Sequence, residues 1–144
     1  EELDNELQRS LRYERPFSVL MADLDRFKSI NDRFGHSTGD VVLQRFVQTV
    51  HPILRATDTF GRWGGEEFII LLSETDRKGA LRIAERVRTA VAESELIPEL
   101  AVTVSIGLAS LGGDARGRDE LVNAADEALY RAKESGRNRV YSAF

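Results

Sequence analysis

Leu3, Leu7 and Leu11 recur every fourth position among charged neighbours, the stripe of an amphipathic helix over residues 1–14. Pro16 punctuates it. Phe17-Ser-Val-Leu-Met-Ala-Asp-Leu-Asp25 then carries apolar side chains on both alternating faces, as a central strand covered on each side requires. Residues 26–34 read as a short helix that Gly35 stops. A second helix is expected from Ser37, whose hydroxyl can cap it with Asp40 three residues on, and it runs through Val42, Phe46, Val50 and Ile53 with Pro52 near its end. Two short strands, 57–63 and 67–72, flank Gly64-Gly65 as a hairpin with a glycine turn. Ala80, Ile83, Ala84, Val87 and Val91 mark a helix over 76–93. A strand at 101–109, a mobile loop at 111–118, a helix over 120–135 closed by Gly136 and a final strand complete the chain. The order helix, strand, helix pair, hairpin, helix, strand, helix, strand predicts an α/β (α+β) fold, with a central mixed sheet of about five strands flanked by helices.

Composition narrows the function classes. The 144 residues suit one domain, and 20 Lys+Arg against 24 Asp+Glu leave a net charge of −4, which disfavours a general nucleic-acid binder because such a protein needs a basic face. Cysteine is absent, which excludes disulfide scaffolds, cysteine-ligated metals and thiol nucleophiles. No apolar run approaches the ~20 residues of a membrane helix, and the opening Glu1-Glu2-Leu3-Asp4 has no leader pattern, so a cytoplasmic domain without membrane contact is expected.

The chemistry gathers at two acidic tips. Asp23 and Asp25 close the apolar strand two residues apart and so face one side, at the sheet edge where α/β folds bind ligands. Burying such acids demands a cation, either a metal or a basic side chain; the bland alternative is a strand emerging into solvent whose acids cap the next helix. Gly64-Gly65-Glu66-Glu67 is an ordinary glycine turn with solvated acids when taken alone. If that hairpin pairs with the central strand, Glu66 and Asp23 can converge on one Mg²⁺, which takes carboxylates, water and substrate phosphates.

Arg62-Trp-Gly-Gly-Glu-Glu-Phe68 resembles the signature of the GGDEF family, the diguanylate cyclase domains, in its Glu-for-Asp form. Asp23-Leu-Asp-Arg-Phe-Lys-Ser-Ile-Asn-Asp-Arg-Phe-Gly-His36 with Gly39-Asp40 resembles that family's metal-and-nucleotide segment, and Ala124-Ala-Asp-Glu-Ala-Leu-Tyr-Arg-Ala-Lys-Glu-Ser-Gly-Arg-Asn138 resembles its C-terminal helix and turn. The likeness runs over about residues 15–142. It implies a fold like nucleotidyl cyclases and polymerase palms, and one GGDEF domain over 1–144. The chain starts after the Asp-x-Leu-Thr segment usual in the family, so it resembles a domain trimmed at its N-terminus from a larger signalling protein.

The same resemblance implies the site. Asp23, the Leu24 carbonyl and Glu66 would ligate Mg²⁺, with Mn²⁺ able to replace it, and Glu67 would assist deprotonation of a ribose 3′-hydroxyl, its alternative being a salt bridge or turn role. Asn31 and Asp40 would read the guanine of GTP; the alternatives on pattern alone are a helix-interior Asn and a capping Asp. Backbone amides at Phe27 and Lys28 can hold the β- and γ-phosphates, with Gly64 and Gly65 giving room and Lys133 and Arg137 adding cations. Basic residues near a helix C-terminus are also favoured by the helix dipole alone. His36 is read as packing or capping, and Trp63, Phe27 and Phe68 as core. The reaction would be attack on the α-phosphate of a GTP held by a second, antiparallel copy, a transient homodimer yielding cyclic di-GMP and two pyrophosphates.

Arg55-Ala-Thr-Asp58 resembles the family's product-inhibition motif: Arg can grip guanine O6 and N7 while Asp accepts from N1–H and N2–H₂, and Arg86 is a candidate second contact. Any Arg-x-x-Asp can equally be a surface ion pair. The alternative function is a catalytically silent GGDEF module acting as a receptor for GTP or cyclic di-GMP, with a purely structural α/β domain behind it. Retention of Asp23, Gly64, Gly65, Glu66 and Glu67 favours the active enzyme.

Overall fold

The computed structural model describes residues 2–13, 15–98, 100–112 and 115–143, with the side chains of residues 2, 3 and 6 outside that description. Its elements are α1 (Glu2–Arg12), β1 (Phe17–Leu24), α2 (Phe27–Phe34), α3 (His36–Val50) with a 3₁₀ turn (His51–Ile53), β2 (Thr59–Gly64), β3 (Glu67–Ser73), α4 (Arg77–Glu93), β4 (Val104–Ser110), α5 (Arg118–Glu134) and β5 (Val140–Ser142). This is the expected element order.

The five strands form one mixed sheet in the order β2-β3-β1-β4-β5. The β2–β3 hairpin is antiparallel and pairs through β3 with β1; β1 and β4 are antiparallel, and β4 and β5 are parallel. β1 is central, and every one of its residues is buried. Its alternation feeds two cores. Leu20, Ala22 and Leu24 meet Phe68, Ile70, Val104 and Ile106 beneath α2, α3 and α4. Phe17, Val19 and Met21 meet Ile69, Leu71 and the α5 residues Leu121, Ala125 and Leu129 on the opposite face, where Leu7 of α1 also packs. Leu3 of the expected stripe falls outside the described side chains, and Leu11 is exposed.

Two close approaches position the site. At Gly107 of β4 an added Cβ would stand 2.1 Å from the Ala125 carbonyl oxygen and 2.3 Å from the Leu129 nitrogen, so only glycine lets α5 lie this near the sheet. At Gly39, between α2 and α3, a Cβ would fall 1.8 Å from Asn31 Oδ1, the end of a side chain rather than backbone.

Some local expectations are corrected. α3 starts at His36, not at a capped Ser37, because Gly35 (φ +93°) both ends α2 and begins α3; no side chain caps the joint, and Thr38 Oγ1 instead donates to the Phe34 carbonyl at 3.1 Å. His36 is exposed there. Trp63 is 43% exposed, not core, because the β2–β3 register shifts between Arg62 and Gly64 and leaves Trp63 as the bulged residue. Phe27 and Phe68 are buried as expected, and Phe68 lies 4.8 Å, centroid to centroid, from Phe46. The 111–118 segment is anchored by paired Gly112–Ala115 backbone bonds and buried Ala115, and α5 already begins at Arg118; Gly113 and Asp114 lie outside the described residues. Among the described residues no helix is long and apolar enough to cross a membrane.

Candidate functional site

The antiparallel register places Asp23 of β1 directly opposite Glu67 of β3 and Ser105 of β4, so the three side chains share one face, the face that α5 covers. The hairpin turn is tied to the same point: the Leu24 N–H donates to the Glu66 carbonyl at 3.5 Å, and Gly65 takes the positive φ (+54°) that the turn requires. The two acidic tips therefore meet.

Asp23 is 3% exposed. Lys133 Nζ, from the last turn of α5, donates to its Oδ2, while Oδ1 is buried without a hydrogen-bond partner. Burial pushes the Asp23 carboxyl up to about 6; Lys133 works against that shift, and Glu66 and Glu67 add to it. Glu67 is half-buried and also raised, first by burial and then by the negative charge of Asp126, with Lys133 opposing. Asp126, raised by its own burial, escaped the sequence reading. The available signal was its spacing, since it lies seven residues before Lys133 and so on the same face of α5.

The sequence treated Asp23 and Asp25 as an equivalent pair, and the structure separates them. Asp25 accepts from Ser105 Oγ (2.7 Å), Thr103 Oγ1 (2.6 Å) and the Asn138 N–H (3.0 Å). Neither acid caps α2, whose N-cap is Arg26 in the left-handed region (φ 57°) with no side-chain bond to the first turn. The α2 amides from Phe27 and Lys28 onward thus begin without a side-chain cap.

Asn31 is half-buried beneath Gly39, its Oδ1 buried and unpartnered, while Asp40 stands exposed in the first turn and a half of α3. Lys28 is exposed. Arg137 is half-buried in the turn after α5 at φ 63°; Lys133, expected with it to add cationic contacts for the phosphates, pairs with Asp23.

Among the described residues no three acid, His or Cys side chains form a ready metal cage. Mg²⁺ does not need one, because one or two carboxylates with water and substrate phosphates suffice. The unpartnered Asp23 Oδ1, beside Glu66, fits such a donor set.

Arg55 and Asp58 lie elsewhere. Asp58 accepts from the Arg55 backbone N–H (2.9 Å), Nε (3.3 Å) and Nη2 (2.8 Å), and Nη2 also donates to the Ser73 carbonyl and Thr75 Oγ1. Ser73 ends β3 and Glu67 begins it, which separates this pair from the acids by about 20 Å at roughly 3.4 Å per residue. Arg86 is exposed on α4, beside a shallow depression lined by Ile53, Glu85 and Thr89.

The sequence pattern of the family described as "Diguanylate cyclase, GGDEF domain" matches residues 1–139. Diguanylate cyclase A of Treponema denticola is 43% identical over 126 residues, 85% of this chain and 34% of that protein. The chain spans about a third of the length of the curated relatives it matches. Among solved structures, the active GGEEF domain of a diguanylate cyclase from Vibrio cholerae superposes with a TM-score of 0.94 at 33% identity, covering 99% of this chain and 92% of that one. The GGDEF domain of DgcB from Caulobacter crescentus, in complex with c-di-GMP, superposes with a TM-score of 0.89 at 29% identity, covering 99% and 86%. With its palm-like five-stranded sheet and its Gly-Gly-Glu-Glu turn set against the end of β1, the chain belongs to the GGDEF domain family.

Proposed function

We propose that this domain is a diguanylate cyclase that condenses two GTP into cyclic di-GMP and two pyrophosphates. The observation that carries the reading is the register of Asp23 against Glu67 with the Glu66 backbone tied to the same strand end, which brings both glutamates to the end of β1 that bears the buried, unpartnered Asp23 Oδ1. Asp23, the Leu24 carbonyl and Glu66 would hold Mg²⁺, which when bound neutralises triphosphate charge. Glu67 then acts on the ribose: its raised pKa makes it a better acceptor for the 3′-hydroxyl proton. The 3′-oxygen bonds to the α-phosphorus of the second GTP, and the bond from that phosphorus to the β-phosphate oxygen breaks, releasing pyrophosphate.

Asn31 and Asp40 are the acceptors proposed for guanine N1–H and N2–H₂. The buried, unsatisfied Asn31 Oδ1 supports this, since such an orphan costs stability unless a ligand occupies it. Phe27 and Lys28 amides, Arg137 and the space at Gly64 and Gly65 serve the phosphates. Each domain holds one GTP, so turnover requires two copies facing one another.

The regulatory part of the reading places cyclic di-GMP at Arg55 and Asp58, with Arg86 as a second contact. The silent-receptor alternative predicts binding without turnover. Incubating the purified domain with GTP and Mg²⁺ over a hundredfold range of protein concentration, with products identified by mass spectrometry, tests the proposal. Cyclic di-GMP forming with specific activity that climbs with concentration supports it, and nucleotide binding with no product leaves the receptor.

A further inference from the structure

The chain leaves α5 through a disfavoured turn. After Gly136 (φ 130°), Arg137 (φ 63°) and Asn138 (φ 46°) both occupy the left-handed region, where a Cβ crowds its own backbone. Two such residues in succession persist only where their surroundings hold them. The Arg137 N–H reaches the Ala132 carbonyl at 3.0 Å, and Arg139 Nε reaches the Arg137 carbonyl at 3.0 Å. Arg88 of α4 donates to Asn138 Oδ1 at 3.1 Å. A second charged restraint comes from the residue that follows β1: Asp25 Oδ2 takes the Asn138 N–H.

Asp25 is 5% exposed and receives three neutral donors, and among the described residues no cation bonds to it. A buried carboxylate kept without a counter-charge is costly. Both of its oxygens are needed as acceptors, Oδ1 for Ser105 and Oδ2 for Thr103 and Asn138, and no neutral side chain of that size offers two. Thr103 and Ser105 lock the carboxylate to β4 and the segment leading into it, so the strand that aligns with Asp23 also sets where the turn stands.

We propose that Asp25 is a positioning residue for the phosphate end of the site: by fixing the Arg137–Asn138 turn against β1 and β4, it aims the Arg137 guanidinium at the triphosphate. This rests on the phosphate role proposed above for Arg137. Asp25 itself touches no substrate. Its effect passes through one backbone N–H, and it acts on the triphosphate while leaving guanine recognition at Asn31 and Asp40 alone.

The test is a double-mutant cycle read by binding. Asp25→Asn keeps the volume but has a single acceptor oxygen, so one side of the latch loses its partner. Affinity for a non-reactive α,β-methylene analogue of GTP and for guanosine is measured by NMR titration of wild type, Asp25→Asn, Arg137→Ala and the double variant. The expected result is about a tenfold loss for the triphosphate in each single variant, guanosine unchanged within about twofold, and no further loss in the double variant. Equal losses for both ligands in Asp25→Asn, or losses that multiply in the double variant, would overturn the inference and leave the phosphate role of Arg137 standing. A triphosphate affinity unaffected by Arg137→Ala overturns that role and the inference with it. Should Asp25→Asn not fold, Thr103→Val removes one donor and loosens the latch, with a loss of about threefold expected for the triphosphate only; a loss shared by guanosine, or none, overturns the proposal.

Discussion

Lys133 Nζ donates to Asp23 Oδ2 across 110 residues of sequence, joining the last turn of α5 to the end of the central strand. The contact places a fixed cation beside the oxygen that would receive the metal. It also makes α5 a wall of the site, and the docking of that helix depends on Gly107.

Lys133→Met should therefore act in two directions. With its partner gone, Asp23 becomes an unpaired buried carboxylate, and the protein should lose roughly 2 kcal/mol at pH 8, less than a fully enclosed pair because Lys133 is partly exposed. Mg²⁺ should raise the melting temperature of the variant more than that of wild type, because no ammonium then competes with the metal for the charge of the Asp23 carboxylate. Equal increments in thermal scans would show that lysine and metal do not compete.

Asp23 also sets a pH dependence. Its folded pKa of about 6 exceeds the usual 3.8, so the unfolded state ionises first as pH rises, and this group's contribution falls between pH 4 and pH 6. Without metal, Asp23→Asn should gain stability relative to wild type as pH rises through that window, by up to about 3 kcal/mol (about two pH units at ~1.4 kcal/mol each). Protons compete with metal at the same carboxylate, so stabilisation by Mg²⁺ should grow from pH 5 to pH 7. Denaturant titrations at three pH values in EDTA, repeated in Mg²⁺, measure both.

Gly39→Ala gives a local test of base recognition. The new methyl would occupy the place of Asn31 Oδ1, and a side chain can swing away where backbone could not. Affinity for GTP should fall by about tenfold with little change in melting temperature. Asp40→Ala should instead relax the preference for GTP over ATP, by about tenfold or more if its carboxylate reads guanine. Unchanged discrimination in competition assays would move base recognition elsewhere.

These tests also show where sequence reading reached its limit. Element order was legible because each apolar stripe has one period: Phe17 to Leu24 reads as a strand buried on both faces, and Gly35 and Gly136 mark where helices stop, although Gly35 also begins α3. Asp23, Glu66 and Glu67 were legible as acids on two tips that a hairpin could bring together. Asp25 was not separable from Asp23, because its partners Thr103, Ser105 and Asn138 lie some eighty to more than a hundred residues away and look like ordinary strand and turn positions. Trp63 was misplaced because a bulge shifts the face a residue presents without changing its spacing. Lys133 was seen as a cation, but its partner was set by how closely Gly107 lets α5 approach.

Glu66→Gln keeps the shape of the turn and removes charge. Turnover should fall by several orders of magnitude, and Mg²⁺-dependent GTP binding should weaken, while melting without metal stays within about 0.5 kcal/mol because Glu66 is only half-buried. Cyclisation of GTP near the wild-type rate would sink the metal assignment.

The pair at Arg55 and Asp58 separates a regulatory site from a structural one. Asp58 has no exposed side-chain surface, and its carboxylate is taken by Arg55 from three directions, so it already has the partner a guanine would offer. Arg55 is half-exposed, and its Nη2 is anchored to the Ser73 carbonyl and Thr75 Oγ1. If the pair binds cyclic di-GMP, this geometry leaves Arg55 as the residue to contact guanine and Asp58 as its support. Arg55→Ala should abolish added cyclic di-GMP binding, and it should lower stability by about 2 kcal/mol because bonds to a charged group are lost. Uninhibited turnover should survive, since the pair stands about 20 Å from Glu67 along β3. Asp58→Asn keeps one acceptor for Arg55, so binding should weaken by about tenfold rather than vanish. Calorimetry on the two variants distinguishes the cases: equal, complete losses would mean that Asp58 contacts guanine directly, and unchanged affinity in Arg55→Ala would reduce the motif to a tether between the end of β3 and the loop before β2.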